Sequence, residues 1–239
     1  MVQRLARSPF KAKIRVRFPL ALPTTKMATT ATEDEIRRAR ELSVQLEFLL
    51  IDKQHKTRTT RDHLCLRYWS YILEIHQGLL LLLETKHFGP AFALMRPMVE
   101  AFLRLNLVMY GSERQRRSLQ GGTYSTDFVA IGEQIDKRLG SRPVLGPWFK
   151  KHKNTLHGFT HGDMEQIARR GRGRDIVPSY PAREVRDVVV FTNLFALLTA
   201  TMTMEFLGFD DELQTGLEMM RDHFRQSKFS TTKRKTTKK

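Results

Sequence analysis

The stretch that decides the fold is residues 188–207, VVVFTNLFALLTATMTMEFL, which carries only one charged side chain. Its twenty residues are enough to cross a bilayer as a helix. However, four threonines and Asn193 interrupt the apolar run, and the charges that precede it have both signs. A helix that is buried on all sides of a bundle has the same composition. We therefore predict no membrane span, but a central bundle helix that begins at Pro181 or Ala182 and is closed by Gly208.

Helical periodicity extends over most of the chain before and after this segment. Thr32-Glu33-Asp34-Glu35 has the spacing of a capping box, which predicts a helix from there to about Lys53. Pro97 lies inside another predicted helix and is expected to kink it. No segment alternates strictly between apolar and polar residues, so we expect no sheet. The predicted fold class is all-α, a helical bundle whose other helices run over 62–86, 91–110, 125–139, 148–157, 160–170 and 210–226.

Positive charge is concentrated at the two ends of the chain. Thirteen of the 41 Lys and Arg residues lie in residues 1–32 and 228–239, which contain no acidic residue. The other 28 face 25 Asp and Glu residues, so a net charge of about +3 in the interior contrasts with +16 for the whole chain. Basic tails add non-specific affinity for phosphates through counterion release, which makes RNA or DNA a candidate partner of the tails.

The composition predicts one bundle domain over residues 33–227, followed by a disordered basic tail over 228–239. Residues 1–32 are expected to be a disordered extension, or one mis-assigned to the protein because translation starts at Met27. The residues after Met27 are typical of the short segment that precedes a capped helix. An organellar transit peptide has a similar composition, which leaves the choice between Met1 and Met27 as the start open.

The chain has a single cysteine, Cys65, which lies within an apolar helical segment. One cysteine cannot form an intrachain disulfide, which fits a reducing compartment, and we expect a cytoplasmic location. No Cys and His residues have the spacing of a zinc finger, so we predict neither a metal site nor a cofactor. The thiol is interpreted as a small core side chain.

Three charged residues, Arg96, Glu100 and Arg104, follow one another at four-residue steps in the predicted helix 91–110. This spacing places them on one helix face among apolar neighbours. Charged side chains on so apolar a helix need partners. They form either an intrahelical ion-pair ladder at the rim of the bundle or part of a polar site.

Two histidines stand in the segment 154–166, NTLHGFTHGDMEQ. If this segment is helical, His157, His161 and Glu165 line one face at positions i, i+4 and i+8, a geometry that suits a metal ion or a proton-transfer pair. The glycine that follows each histidine argues for a break, and leaves open backbone that a phosphate or another helix can approach. The alternative is that the histidines are structural residues bonded to Glu100 or to a backbone carbonyl.

Basic residues flank this histidine segment on both sides. They would frame the imidazoles with positive charge if they face the same groove, which suits a phosphodiester or an acidic partner. The alternative is solvated charge on helix ends and a loop. The candidate nucleic-acid or phosphate-binding residues are Lys150, Lys151, Lys153, Arg169, Arg170, Arg172 and Arg174.

Two motifs of the chain can be compared with known families. They are Arg-Pro-x-x-Glu at 96–100 and, after His157, the series Phe-Thr-His-Gly at 159–162, Gln166, Arg169-Arg170 and Pro178-Ser179-Tyr180. Together they resemble a group of bacterial all-helical proteins without an assigned activity and, more remotely, the HEPN superfamily, over about residues 35–225. The resemblance implies a helical fold and a role in bacterial stress or phage defence.

The HEPN superfamily includes ribonucleases that cleave RNA without a metal ion, using an arginine four to six residues before a histidine. Arg58 precedes His63 at this spacing. No arginine lies at this distance before His157 or His161, and the cationic residues that closely precede them are lysines, which lack the planar fork that grips a phosphate at two points. These lysines are Lys150, Lys151 and Lys153.

Three functional hypotheses follow from the sequence. The first is a helical bundle, expected to be a homodimer, with a buried polar centre of structural, ligand-binding or catalytic role that consists of Arg96, Glu100, His157 and His161. The second is a HEPN-like ribonuclease, in which one of the histidines is the general acid or base and Arg96 or Arg170 stabilises the charge on the phosphorane. The third is a basic accessory protein that binds nucleic acid through its tails.

Overall fold

The computed structural model describes residues 30–49, 59–140, 143–171 and 178–229. These residues form an all-α helical bundle with no strand among them, which confirms the predicted fold class. A 3₁₀ turn over Ala168–Arg170 follows α7. The helices are α1 (Thr30–Phe48), α2 (Thr60–Glu84), α3 (Phe88–Tyr110), α4 (Glu113–Gln120), α5 (Phe128–Leu139), α6 (Leu145–His161), α7 (Met164–Ile167), α8 (Ala182–Leu207) and α9 (Asp210–Phe229).

Helix α8 is the centre of the bundle, as its apolar sequence predicts. It packs against α1, α2, α3 and α9. By length and composition alone α8 could cross a membrane, but 72% of its most apolar window is buried within the protein. The described residues therefore contain no clear membrane span, and the apolar sequence of α8 is explained by its place in the core.

Most of the polar residues that interrupt the apolar run of α8 make hydrogen bonds inside the bundle. The hydroxyl of Thr192 donates to the carbonyl of Val188 at 3.0 Å, and that of Thr199 donates in the same way to the carbonyl one turn earlier at 2.7 Å. Asn193 is 4% exposed and bonds across to α2. These bonds pair the polar groups of Asn193 and of these threonines within the buried helix, whereas the buried hydroxyl of Thr203 has no hydrogen-bond partner among the described residues.

The partner of Asn193 is His76, which ties three helices together in the core. Its ring is fully buried, with Nε2 2.9 Å from Oδ1 of Asn193 on α8 and Nδ1 3.2 Å from the hydroxyl of Ser43 on α1. Burial lowers the pKa of His76 to about 4, because the charged ring would lose its hydration. The bond to Asn193 acts in the opposite direction, and His223 adds to the lowering. Nothing in the sequence marks His76 as a neutral, structural histidine.

Helix α3 continues through Pro97 to Tyr110. Because proline has no N–H, the carbonyl of Ala93 receives no hydrogen bond from within the helix. The hydroxyl of Thr160 on α6 lies 3.3 Å from this carbonyl, as a donor, and 3.1 Å from the carbonyl of Leu156. The two helices are therefore joined at the point where the hydrogen bonding of α3 is interrupted.

Helices α5 and α6 meet at a pair of glycines. A Cβ atom on Gly132 would lie 2.7 Å from Cδ2 of Phe149 and 3.1 Å from the backbone nitrogen of Gly146. The carboxylate of Asp136 on α5 accepts the N–H groups of Leu145 and Gly146, at 2.9 and 2.8 Å. These bonds satisfy two N–H groups that have no partner within the first turn of α6. Close packing and capping together fix the start of α6 against α5.

Several helix starts differ from those predicted. Helix α1 begins at Thr30, so Thr32 is a buried residue inside the helix and not its N-cap. A capping box does occur at the start of α2, where Thr59 and Asp62 bond reciprocally at 3.1 Å. Helix α5 begins later than predicted because Asp127 acts as its N-cap, accepting two backbone N–H groups.

Some of the sequence predictions concern residues outside the described ranges. Nothing in the structure bears on these predictions. They are the choice of start between Met1 and Met27, most of the two basic tails, the end of the first helix near Lys53, the arginine Arg58, and the candidate phosphate-binding residues Arg172 and Arg174.

Candidate functional site

The predicted ladder of charges lies on α3. Nε of Arg96 donates to Oε1 of Glu100 at 2.8 Å, and Nη2 of Arg104 lies 3.8 Å from the other carboxylate oxygen. Arg104 also donates from Nε to the hydroxyl of Thr126, just before α5, at 3.4 Å. One carboxylate is shared by two guanidinium groups, which leaves this face of α3 with a net positive charge.

Arg96 also reaches across to α6, where its Nη1 contacts Nδ1 of His157. A guanidinium only donates hydrogen bonds, so Nδ1 of His157 is the acceptor in this contact. The ring of His161 lies beside that of His157, with the centroids 4.2 Å apart and the planes inclined by 42°. The structure thus brings together at one place the four residues predicted to form the polar centre.

The cluster lies at the protein surface, which corrects the prediction of a buried centre. Both histidines are exposed, and the side chains of Arg96 and Glu100 are 24% and 25% exposed. The reason is the orientation of α6 about its own axis. Leu156 and Phe159 turn into the core, so His157, which lies between them in sequence, turns outward. The charged groups of the cluster are therefore available to a ligand.

Helix α6 runs through Gly158 and ends at His161, so the chain breaks at the second glycine and not at the first. Gly162 ends the helix with a φ of 70°, a left-handed conformation that glycine adopts readily because it has no Cβ. Glu165 belongs to α7, beyond this turn. The predicted single face of His157, His161 and Glu165 is therefore wrong for its third member.

The three lysines before the histidines are all exposed, but they do not share one direction. Successive helical residues are about 100° apart, so Lys150, Lys153 and the two histidines fall within an arc of about 80°. Lys151 lies about 120° from His157 around the helix. We call the resulting surface of α3 and α6 the cationic face, which consists of Arg96, Arg104, Lys150, Lys153, His157 and His161.

The predicted arginines that follow the histidines are engaged elsewhere. The guanidinium of Arg169 lies 5.0 Å from the centroid of the Phe159 ring, and its Nε donates to Glu184 of α8 at 3.1 Å. Arg170 lies against the start of α3, where its guanidinium fills the space that a Cβ on Gly89 would need. Both arginines pack the 3₁₀ turn onto the bundle.

Gln166 is a buried polar residue that the sequence presents only as part of a motif. Its Nε2 donates to the carbonyls of Gly89 and Phe159 at 2.9 and 3.0 Å, and its Oε1 accepts from the hydroxyl of Tyr180 at 2.8 Å. These bonds join the start of α3, the end of α6 and the segment before α8. Burial of the phenol also raises the pKa of Tyr180, so its hydroxyl stays a donor. Part of the second motif is therefore structural.

The chemistry of the cationic face suits anion binding and proton transfer. No group of three or more His, Cys, Asp or Glu residues that could hold a metal ion occurs in the part of the chain that the structure describes. Glu100 is already shared by two arginines. Guanidinium groups and exposed imidazoles, in contrast, are common donors to phosphate oxygens.

Comparisons with protein-family models, with curated proteins and with solved structures found no match for this chain. The resemblance to bacterial helical proteins and to the HEPN superfamily therefore stays a prediction. The function has to be argued from the site itself.

Proposed function

We propose that this chain binds the phosphate backbone of single-stranded RNA on the cationic face. The observation that carries the proposal is the contact between Arg96 and the exposed His157, with the tilted ring of His161 beside it. It brings phosphate-binding groups from two helices together at the surface. Glu100 forms ion pairs with Arg96 and Arg104 and so holds both side chains before a ligand arrives, which reduces the entropy lost on binding.

The length of the cationic face favours a chain of phosphates over a single phosphate. Lys150 and His161 are separated by eleven residues of α6, which corresponds to roughly 16 Å along the helix axis. A row of cations along a surface follows the backbone of a single strand. The two exposed imidazoles also offer a ring surface on which an unpaired base can stack.

Fluorescence anisotropy with a short labelled single-stranded RNA tests the proposal. In the double variant Arg96→Gln, His157→Gln we expect the affinity to fall by about tenfold or more, because two charge-assisted contacts are lost. The slope of log K against log salt concentration should also become shallower, by about one for each lost phosphate contact. Unchanged affinity and unchanged slope would contradict the proposal.

Single substitutions provide matched controls, since every variant keeps the basic ends of the chain. Lys150→Gln should weaken RNA binding more than Lys151→Gln, because Lys151 points away from the histidines. Arg117→Gln removes an arginine of α4 that is 73% exposed and lies outside the cationic face. Equal losses of RNA affinity in all three variants would show that binding depends on the overall charge of the chain, as the tail hypothesis predicts.

Metal-independent cleavage of RNA is a second candidate function, favoured by the two imidazoles beside a guanidinium. One imidazole would take the proton of a ribose 2′-hydroxyl as its oxygen attacks the adjacent phosphorus, while the other gives a proton to the departing 5′-oxygen. The products are a 2′,3′-cyclic phosphate and a 5′-hydroxyl end. Arg96, which contacts His157, would stabilise the charge on the phosphorane, whereas Arg170 lies against Gly89.

Incubation of the same RNA with EDTA separates binding from cleavage. Cleavage that disappears in His161→Ala, with RNA binding and the circular dichroism spectrum retained, would establish the ribonuclease. RNA that stays intact across neutral, acidic and alkaline pH leaves binding as the function. A role in bacterial stress or phage defence is proposed on the resemblance alone, and the homodimer and the cytoplasmic location stay predictions.

A further inference from the structure

A wide groove runs over α8, and the residues that line it are separate from those of the cationic face. Its volume is about 1760 Å³. The floor is apolar: Val190 is 37% exposed, and Phe191 and Leu194 are half-buried. Trp148 of α6 lies on one wall, where its ring stacks on that of Phe191 at 4.8 Å. Helices α1 and α9 form the other wall.

The groove has the size of one more helix. A helix with a diameter of about 10 Å and a rise of about 1.5 Å per residue would fill this volume with roughly 15 residues. Central helices of bundles are usually covered along all of their apolar stripes. The open stripe around Val190 and Leu194 on the central helix therefore has the features of a docking surface for an amphipathic helix.

The charges along the groove indicate the kind of helix that fits it. The wall of α1 and α9 carries Glu41, Glu218 and Asp222 against one basic residue, Arg38. Glu41 and Asp222 pair with Arg37 and Arg225 of their own helices at 3.1 and 3.7 Å, but these two arginines do not line the groove. The other charged residues of the lining neutralise one another in the pairs Glu35–Arg186, Glu184–Arg169 and Asp187–Arg183, at 2.8, 3.1 and 3.8 Å.

We propose that the groove over α8 binds a basic amphipathic helix of a protein partner. The apolar side of that helix packs on Val190, Phe191 and Leu194. Its lysines and arginines face Glu218 and Asp222 on α9, where the complementary charge selects a basic partner over an acidic one.

A synthetic helical peptide of leucine and lysine is the probe, and a peptide of the same length with glutamate in place of lysine is its control. Trp148 reports on the groove, because the second tryptophan, Trp69, is fully buried in the core. We expect a saturable change in tryptophan emission with the lysine peptide and none with the glutamate peptide. In Trp148→Phe the optical change should disappear, while binding of a labelled peptide continues.

Substitutions in the groove complete the test. Leu194→Glu should lower the affinity for the lysine peptide by about tenfold or more. Leu81→Glu, at a leucine that is 51% exposed and lies outside the groove, should leave this affinity unchanged. The surface double variant Glu218→Gln, Asp222→Asn should also lower the affinity for the lysine peptide, and it does not disturb the core. Equal binding of both peptides, or unchanged binding in both groove variants, would overturn the proposal. RNA binding is measured separately and does not depend on this groove.

Discussion

At the scale of single residues, one hydroxyl connects the two motifs of the chain. Thr160 of the Phe-Thr-His-Gly motif donates toward the carbonyl of Ala93, which Pro97 of the other motif leaves without an intrahelical donor. One turn away, Arg96 contacts His157. The proline and the threonine therefore join α3 and α6 next to the place where the arginine meets the imidazole.

Thr160→Val tests this connection. The substitution keeps the shape of the side chain and removes the donor, so the carbonyl of Ala93 loses its partner. We expect the free energy of unfolding, measured by urea denaturation, to fall by about 1–3 kcal/mol. The loosened contact between α3 and α6 should also weaken RNA binding.

Thr192→Val is the matched control. The hydroxyl of Thr192 donates to the carbonyl of Val188, which lies one turn earlier in the same helix and accepts a backbone N–H as well. Its removal leaves no acceptor without a partner, so the change in stability should be smaller. A loss in Thr192→Val as large as that in Thr160→Val would show that Ala93 has no special need for the hydroxyl.

At the scale of helices, the contact between α5 and α6 depends on the absence of side chains. In Gly132→Ala the new methyl group would meet the ring of Phe149 and the backbone of Gly146. The two helices would have to separate, and we expect a loss of about 1–3 kcal/mol in the free energy of unfolding. Thermal and urea denaturation measure this loss.

Gly78→Ala, in the middle of α2, should have the opposite effect. Its Cβ would have Leu94 Cδ1 as its nearest neighbour, at an ordinary contact distance of 3.9 Å. Alanine favours a helix over glycine by about 1 kcal/mol, so this variant should be more stable than the wild type. If Gly132→Ala were as stable as the wild type or more stable, the close packing described for α5 and α6 would be contradicted.

The helices themselves were largely predictable from the sequence, but the details of α6 were not. The composition of residues 188–207 predicts a core helix, and the structure contains one. Gly158 and Gly162 have similar surroundings in the sequence, and only tertiary packing decides that the first stays helical while the second takes a positive φ. The motifs led to Arg96 and His157, but not to their exposure, because the rotation of α6 depends on how its apolar residues pack.

At the scale of the whole molecule, His76 links stability to pH. The folded protein keeps this ring neutral down to a pKa of about 4, whereas the ordinary value of 6.5 applies in the unfolded chain. Between these two values the unfolded state binds a proton that the folded state does not. The contribution of His76 to the free energy of unfolding is therefore fully present above about pH 6.5. It is lost as the pH falls toward 4, and the loss is on the order of 3 kcal/mol.

Urea denaturation at a series of pH values from 7 to about 4 measures this loss. The variant His76→Gln cannot take up the proton, so its stability should fall less steeply than that of the wild type over this range. His87→Gln, at an exposed histidine, should keep the profile of the wild type. Parallel profiles for the wild type and His76→Gln would show that the core histidine does not control the acid sensitivity.

The position of α8 in the chain has a consequence for biosynthesis. The helix at the centre of the bundle leaves the ribosome after α1, α2 and α3, against which it packs, have been made. Helices α2 and α3 can pack on each other once both have emerged, but the apolar sides that they turn toward α8 stay uncovered until residue 207 has left the ribosome. Nascent chains of this protein therefore expose apolar surface until α8 has emerged, and binding by a chaperone during that period would protect them from aggregation.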